Sequence, residues 1–373
     1  MKKHLLLLSC LILMIAQAGC GSNSGDAPKP NPSPQTSLPP SGVYIAGVCE
    51  DTPCYWTNTT MAALPFLGSC TYGVANSITV ASGTVYIAGE CQYIEYGIGT
   101  TYFPCYWTDT TVTDLPLLSG GIGGEATSIA VSDGTVYTAG WCYNGNTLPC
   151  YWTNTTVTDL PLLSGSTMAE TTSITVSDGT VYTAGWYNND NYNGLNNLPC
   201  YWNGSTVKPL PLVSGYTSGE ARSIIVYNGI VYIAGFCNNF SYSVPCYWTD
   251  TTLTELPILS GFEYGSATSI SFSSGTVYTA GFCGNHVAHY FSNSPCYWTG
   301  TAVTALPMVD HGDGIANSIT ISGSTIYTVG SCGGKPCYWI DTALTKLPLL
   351  KGGFGRAMSI FVVPGSSSTS SLK

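Results

Sequence analysis

The sequence carries carboxylates and aromatic rings at repeated positions, where together they could recognise a ligand. Three glutamates recur at one position of consecutive repeat units, namely Glu125, Glu170 and Glu220. A second repeated position carries four large rings, namely Trp141, Trp186, Phe236 and Phe282. Aromatic faces attract cations and provide flat apolar contact area for sugars, while carboxylates accept hydrogen bonds. We therefore predict that these seven residues form one ligand-binding arc.

The same residues allow two other interpretations. In the first, the rings only cover the packing between repeat units and the glutamates face water. In the second, the glutamates supply an acid and a base for glycoside hydrolysis, where the separation of two carboxyl groups sets the mechanism. No Ser-His-Asp order is recognisable, and a serine that recurs in every unit is expected to be structural. We therefore predict a binding protein and not an enzyme.

The histidines beyond the N-terminal region lie close together in the sequence. His286 and His289 fall in one segment, GNHVAHYFSNS, and His311 falls in VDHGDG between Asp310 and Asp313. Imidazole and carboxylate groups from two loops could converge on a divalent metal. The alternative is that both segments are solvated polar loops. Apart from this metal, no cofactor is predicted.

Internal repeats show which elements must position these residues. The triplet Cys-Tyr-Trp occurs seven times, beginning at Cys54, Cys105, Cys150, Cys200, Cys246, Cys296 and Cys337. Each unit, as in residues 126–163, contains four short segments rich in β-branched and aromatic residues, and Asp133-Gly134 is typical of a two-residue hairpin turn. Four strands in a repeat of about 40–50 residues predict an all-β, seven-bladed β-propeller with four antiparallel strands per blade.

The two ends of the repeat array support a closed ring. The first unit begins at Gly42 with a second strand, and the last segment, residues 357–362, is a first strand with nothing after it. We therefore expect the C-terminal strand to complete the first blade, which removes the open sheet edges. Strand direction then places the loops between strands two and three on the same face as the loops between blades. Because these loops vary in length and content, we call this face the variable face and predict the site there.

The repeat also permits a comparison with known families. The pattern CYWTNTTVTDLP followed by ATSIAVSDGTVYTAG resembles bacterial extracellular propeller repeats of the HAF and kelch-like kind. The resemblance covers nearly the whole chain after residue 41. It implies a propeller fold, but it implies no particular activity, because propellers host enzymes, lectins and protein scaffolds.

Sixteen cysteines in a chain with an export signal indicate disulfides. In six units, one cysteine ends strand two and another begins strand three, so we expect the two to lie opposite each other. The predicted pairs are Cys49–Cys54, Cys91–Cys105, Cys142–Cys150, Cys237–Cys246, Cys283–Cys296 and Cys332–Cys337. In the fourth unit Tyr187 replaces the first cysteine, so Cys200 is predicted to be unpaired, as is Cys70 in the loop entering the second blade.

The first forty residues predict export and anchoring. Lys2 and Lys3 precede a short apolar run, and Ala18-Gly19-Cys20 resembles a bacterial lipobox, which implies cleavage before Cys20 and its lipidation. We predict a signal peptide at residues 1–19, a lipidated Pro- and Ser-rich tether at 20–41, the propeller at 42–363 and a disordered tail at 364–373. The absence of aspartate after Cys20 points to the outer membrane, with the domain facing the periplasm or the cell surface.

The amino-acid composition limits the kinds of binding partner that we expect. Only 8% of the residues are charged and the formal net charge is −10, so a nucleic-acid partner is not expected. We expect a monomer attached to the membrane by its lipid, with a glycan or an envelope or extracellular protein as ligand. The alternatives are a carbohydrate-active enzyme that uses the glutamates and a purely structural envelope lipoprotein.

Overall fold

The computed structural model describes residues 41–95, 99–188, 196–239, 242–287, 290–309 and 312–365. In these ranges the chain forms 28 strands, arranged in seven antiparallel sheets of four strands each. Each sheet is one blade, so the prediction of a seven-bladed, all-β propeller is confirmed. Among the described residues, no helix has the length and apolar character needed to cross a membrane.

The strand bounds repeat from blade to blade. The first blade contains β28 (Gly355–Val363), β1 (Gly42–Cys49), β2 (Thr52–Thr57) and β3 (Thr60–Ala63). The second contains β4 (Tyr72–Ala81), β5 (Thr84–Glu95), β6 (Gly99–Thr108) and β7 (Thr111–Asp114). The third contains β8 (Gly123–Ser132), β9 (Thr135–Tyr143), β10 (Thr147–Thr153) and β11 (Thr156–Asp159). The fourth contains β12 (Met168–Ser177), β13 (Thr180–Asn188), β14 (Leu198–Asn203) and β15 (Thr206–Pro209).

The remaining blades follow the same order. The fifth contains β16 (Ser218–Tyr227), β17 (Ile230–Asn238), β18 (Ser243–Thr249) and β19 (Thr252–Glu255). The sixth contains β20 (Tyr264–Ser273), β21 (Thr276–Val287), β22 (Tyr290–Thr299) and β23 (Ala302–Ala305). The seventh contains β24 (Gly314–Ser322), β25 (Thr325–Cys332), β26 (Lys335–Ile340) and β27 (Ala343–Lys346).

The ring closes as the sequence predicts. The C-terminal strand β28 pairs with β1, so the last strand of the chain is the innermost strand of the first blade. It also contacts β4 of the second blade and β24 of the seventh. The predicted hairpin turn is confirmed too, since Asp133 and Gly134 both have positive φ, 48° and 74°, as a type I′ turn requires.

Seven buried tryptophans join neighbouring blades. Each belongs to a Cys-Tyr-Trp triplet, is at most 1% exposed, and donates its indole N–H to a proline carbonyl of the preceding blade at 2.7–2.9 Å. The pairs are Trp56–Pro348, Trp107–Pro65, Trp152–Pro116, Trp202–Pro161, Trp248–Pro211, Trp298–Pro257 and Trp339–Pro307. The chain has nine tryptophans, so only Trp141 and Trp186 are left for another role.

Recurring serines make a second inter-blade contact. Ser173 in β12 accepts a hydrogen bond from the backbone N–H of Ile224 in the next blade at 3.2 Å. Five further inner-strand serines make the equivalent contact, namely Ser77, Ser128, Ser223, Ser269 and Ser359. This geometry agrees with the interpretation of these serines as structural residues near the axis.

Each innermost strand contains a β-bulge, which the sequence analysis did not anticipate. The bulged residues are Asn76, Thr127, Thr172, Arg222, Thr268, Asn317 and Met358. Thr172 shows the usual arrangement, because its hydroxyl donates to the carbonyl of Ala221 in the next blade at 2.7 Å. The second strand must approach the bulge closely, since a Cβ on Gly185 would lie 1.8 Å from the carbonyl oxygen of Glu170.

The cysteines predicted to pair lie side by side. Cys332 and Cys337 form a disulfide, and in the five other pairs the two sulfurs are 2.8–3.8 Å apart. One detail of the prediction is wrong, because the two cysteines are diagonal and not directly opposite: Cys142 faces Leu148, two residues before Cys150. A diagonal pair on one face of a sheet is still within reach. Bond formation in these five pairs stays a prediction.

The two cysteines outside the six predicted pairs differ in surroundings. Cys200 is fully buried beside Leu160 and Trp202. Cys70 lies in the loop before β4, where its thiol interacts with that of Cys91. Burial, followed by the neighbouring Cys91, raises the pKa of Cys70 to about 11. Cys91 therefore has two neighbouring thiols, Cys105 and Cys70.

Candidate functional site

The predicted arc lies where the innermost strands begin. Each glutamate stands directly opposite a ring on the second strand of its own blade, so that the two side chains share one face of the sheet. The pairs are Glu125–Trp141, Glu170–Trp186 and Glu220–Phe236, and in the sixth blade Ser266–Phe282. The glutamates lie inside the innermost strands near their first residues: in β8 strand pairing begins with Gly123 opposite Tyr143, two residues before Glu125.

Glu125 is held by two hydrogen bonds. The side-chain amide of Asn76 donates to its carboxylate at 2.9 Å, and the indole N–H of Trp141 donates as well. Burial raises the pKa of Glu125, and these two donors oppose that rise because they favour the charged form. This hydrogen bond links the indole ring of Trp141, on the second strand, to the carboxylate of Glu125, which lines the channel.

Glu170 occupies the middle of the arc. It lines a cavity of about 270 Å³ in the central channel, together with Glu125, Arg222 and the bulged residues of the other blades. Burial, and then repulsion by Glu125 and Glu220, raises the pKa of Glu170 to about 8, while Arg222 acts in the opposite direction. Near neutral pH this carboxyl group therefore holds a proton for much of the time.

Glu220 is neutralised within its own blade. Arg222 forms an ion pair with it at 2.7 Å, and Asn197 donates a hydrogen bond to its other oxygen at 3.0 Å. The guanidinium carbon of Arg222 also lies 5.4 Å from the centre of the Phe236 ring. The fifth blade thus holds a cation between a carboxylate and an aromatic face.

A fourth carboxylate, Glu90, extends this cluster. It occupies in the second blade the position that Trp141 holds in the third, and it is only 5% exposed. Gln92 donates to one of its oxygens at 2.7 Å, while the buried Oε2 has no hydrogen-bond partner among the described residues. Burial, and then the charge of Glu125, raises the pKa of Glu90 to about 8. The repeat alignment contains the signal for Glu90, but the predicted arc was restricted to rings at this position.

A second cavity opens on the variable face beside the carboxylates. It measures about 340 Å³ and lies between the second and third blades. Its walls combine Trp141, Tyr102 and Tyr143 with the exposed Ile122 and with threonine hydroxyls. The rings of Tyr102 and Trp141 are 6.1 Å apart and tilted by 55°, so both contribute to one concave surface.

The remaining arc residues are more scattered. Phe282 meets the edge of Tyr264 at 6.4 Å between ring centres, which indicates packing within the sixth blade. Trp186 is half-buried beside Glu170 and does not line either of the two cavities described above. The structure therefore brings the arc residues of the third, fourth and fifth blades close together near the channel. Phe282, in the sixth blade, lies at the end of the arc.

The predicted metal ligands fall largely outside the described residues. His289, Asp310 and His311 are among those outside, and His286 is placed only as a backbone position in β21. Asp313 accepts a hydrogen bond from the backbone N–H of Asn293 at 3.0 Å, so the loop leaving the sixth blade meets the hairpin of that blade. In the described ranges no group of three His, Cys, Asp or Glu residues is arranged to hold a metal ion. Metal binding by the histidines stays a prediction.

Comparisons with known proteins carry no argument about the function of this chain. No family model matches the chain, and no curated protein matches it. Among solved structures, the tricorn protease is similar over 86% of this chain and 36% of its own, with 10% identity and a TM-score of 0.49. The propeller domain of the Trilobed protease from Pyrococcus furiosus aligns over 80% and 87%, with 9% identity and a TM-score of 0.46. Phage phi92 endosialidase aligns over 78% and 60%, with 14% identity and a TM-score of 0.40, so the chain spans less than two thirds of it.

Proposed function

We propose that this chain is an exported, lipid-anchored propeller that binds a glycan through its variable face, with the Tyr102–Trp141 cavity as the primary site. The observation that carries the proposal is the composition of that cavity. The rings of Tyr102, Trp141 and Tyr143 supply flat apolar area. Thr100, Thr101 and Thr147 provide hydroxyl groups nearby. Its volume of about 340 Å³ is large enough for one or two sugar rings.

The carboxylate of Glu125 beside this cavity supports a binding site there and not packing alone. Trp141 is hydrogen-bonded to Glu125, which fixes the ring from behind while its face lines the cavity. A preorganised ring loses little side-chain entropy when a ligand stacks on it. The anchored location is proposed from the lipobox-like segment around Cys20, which lies outside the described residues.

The test is a glycan-array binding measurement on the purified protein. We expect specific binding by the wild type, and a loss of about tenfold or more in Trp141→Ala and Tyr143→Ala. Phe354→Ala is the matched control, because Phe354 is 63% exposed in the loop before β28 and does not line the Tyr102–Trp141 cavity. Equal binding by the three variants would place the glycan elsewhere, and no binding by the wild type would reject the glycan proposal in favour of a protein partner sought by cross-linking in the envelope.

A second candidate, a carbohydrate-active enzyme, has one specific observation in its favour. Glu170 has a pKa raised to about 8, whereas hydrogen-bond donors stabilise the charged form of Glu125. Carboxyl groups with environments that differ in this way can act as acid and base. Turnover of chromogenic glycosides, lost in both Glu170→Gln and Glu125→Gln, would favour this candidate. Binding without turnover would favour the binding module.

A further inference from the structure

The fifth blade shows how this scaffold binds a cation. Its carboxylate, Glu220, and its ring, Phe236, are neighbours across the strand pair, and the bulged residue Arg222 places its guanidinium against both. The bulged residue stands in the channel two positions after the glutamate. The carboxylate, the ring and the bulged residue therefore form one local unit in this blade.

The fourth blade has the same carboxylate and ring without the internal cation. Glu170 faces Trp186 across the strands as Glu220 faces Phe236, but the bulged residue is Thr172. The Thr172 hydroxyl is used for two backbone carbonyls, those of Ala184 and Ala221. Glu170 lines the channel cavity next to Glu125, so a cationic group entering the channel could reach it.

A second observation comes from the buried end of the carboxylate cluster. Glu90 is 5% exposed, its Oε2 lacks a hydrogen-bond partner among the described residues, and its carboxylate is close enough to Glu125 for the two charges to interact. Of the four carboxylates, Glu220 and Glu170 interact with the guanidinium of Arg222.

We propose that Glu170 and Trp186, with Glu125 beside them, form a subsite for an organic cation, a guanidinium or ammonium group, which enters the channel from the variable face. The bound cation takes the place in the fourth blade that the guanidinium of Arg222 takes in the fifth blade. The subsite deepens the proposed binding function, on which it rests, by naming the charge and shape of the group that the ligand carries.

The subsite predicts how binding depends on pH. A cation requires Glu170 in its ionised form, and the groups that face Glu170 are Glu125, Glu220 and Arg222. Because the pKa of Glu170 is raised to about 8, binding must release a proton near neutral pH. As the pH rises toward 8, affinity should therefore increase about tenfold for each pH unit, and it should level off above 8.

The experiment is isothermal titration calorimetry of the purified protein with arginine amide, and with citrulline amide as a neutral analogue of similar shape. The α-amine is acetylated in every amide used, so that only the side chain of the arginine or lysine compound carries a charge. We expect arginine amide to bind at pH 8 at least tenfold more tightly than citrulline amide. Glu170→Gln should lose this preference. Thr172→Arg should lose it too, because it copies the arrangement of the fifth blade and fills the subsite from within. Exposed Glu255→Gln, on the outermost strand β19, is the control of equal charge change.

Each outcome decides between the two proposals. Lysine amide in place of arginine amide shows whether ammonium is accepted, and either cation binding with the expected variants supports the subsite. Equal affinity for arginine amide and citrulline amide, or binding that survives both Glu170→Gln and Thr172→Arg, overturns it. If neither amide binds while the glycan array is positive, the cation subsite is rejected and the glycan proposal stands. If arginine amide binds while the array is negative, the reverse holds.

Discussion

Replacing Glu90 with glutamine should stabilise the protein at high pH and leave it nearly unchanged at low pH. The reason is the buried carboxyl group, which is 5% exposed and has an unpartnered Oε2. Its folded-state pKa is raised from 4.5 to about 8, first by burial and then by Glu125. Between these two pH values the folded protein keeps a proton that the unfolded chain releases.

The sign and size of the effect follow from this linkage. Because the folded state binds more protons, the free energy of unfolding decreases as the pH rises from about 4.5 to about 8, and this group causes no further change above 8. A rise from 4.5 to about 8 corresponds to at most about 5 kcal/mol, at about 1.4 kcal/mol for each pKa unit. Since local opening can admit water to the ionised group, we expect about 2–4 kcal/mol.

The assay is denaturant unfolding of wild type and Glu90→Gln at pH 4.5 and pH 9 under non-reducing conditions. Glutamine keeps the size of the side chain and its amide oxygen can still accept the bond from Gln92, but it carries no charge. We expect a gain of about 2–4 kcal/mol at pH 9 and less than about 0.5 kcal/mol at pH 4.5. Exposed Glu255→Gln controls for the change in net charge. A Glu90→Gln effect of the same size at both pH values would refute the reasoning, because it would show that ionisation is not the source.

Three further predictions follow from contacts between and within blades. In Cys105→Ser, Cys91 should pair with Cys70, and this bond should appear in non-reducing peptide mapping by mass spectrometry, while Cys70→Ser should leave the Cys91–Cys105 bond in place. Ser173→Ala should lower the free energy of unfolding by about 1–2 kcal/mol, because the next blade loses an acceptor for a backbone N–H, and Tm in thermal unfolding reports this loss. Deletion of residues 355–373 removes β28 and opens the ring, so size-exclusion chromatography should detect aggregation.

The fold could be predicted from the sequence because the repeat encodes it redundantly. Seven Cys-Tyr-Trp triplets, turn signals such as Asp133-Gly134 and the offset of the two ends all lead to one closed ring. The strand count, the closing strand β28 and the neighbouring cysteines agree with this prediction. The diagonal arrangement of Cys142 and Cys150 did not follow, because spacing along the chain does not specify the register across a strand pair to within two residues.

The site was only partly predictable. Repeat alignment assigned Glu170 and Trp186 to comparable places, and the strand register confirms that they face each other. The bulge at Thr172 could not be inferred, because the residues around it, 170–173, are all polar and form no hydrophobic alternation that an extra residue would interrupt. The role of Arg222 depends on the equivalent bulge in the fifth blade, where its side chain lies against Glu220 and Phe236. Raised pKa values, as at Glu90, depend on burial and on charges from other blades, which no single repeat contains.

The structure separates the residues that build the ring from those that distinguish one blade from another. The tryptophan–proline bonds recur in all seven blades and fix the spacing of the sheets. Beside the channel, the blades differ at three strand positions: the second-strand position that is aromatic in the third to sixth blades, the residue opposite it, and the bulged residue that follows. Because these positions adjoin the channel mouth and are supported by an invariant frame, one substitution can change the local charge without moving a strand. The difference between Thr172 and Arg222 is of this kind, and it leaves the fourth blade open to a cation where the fifth carries its own.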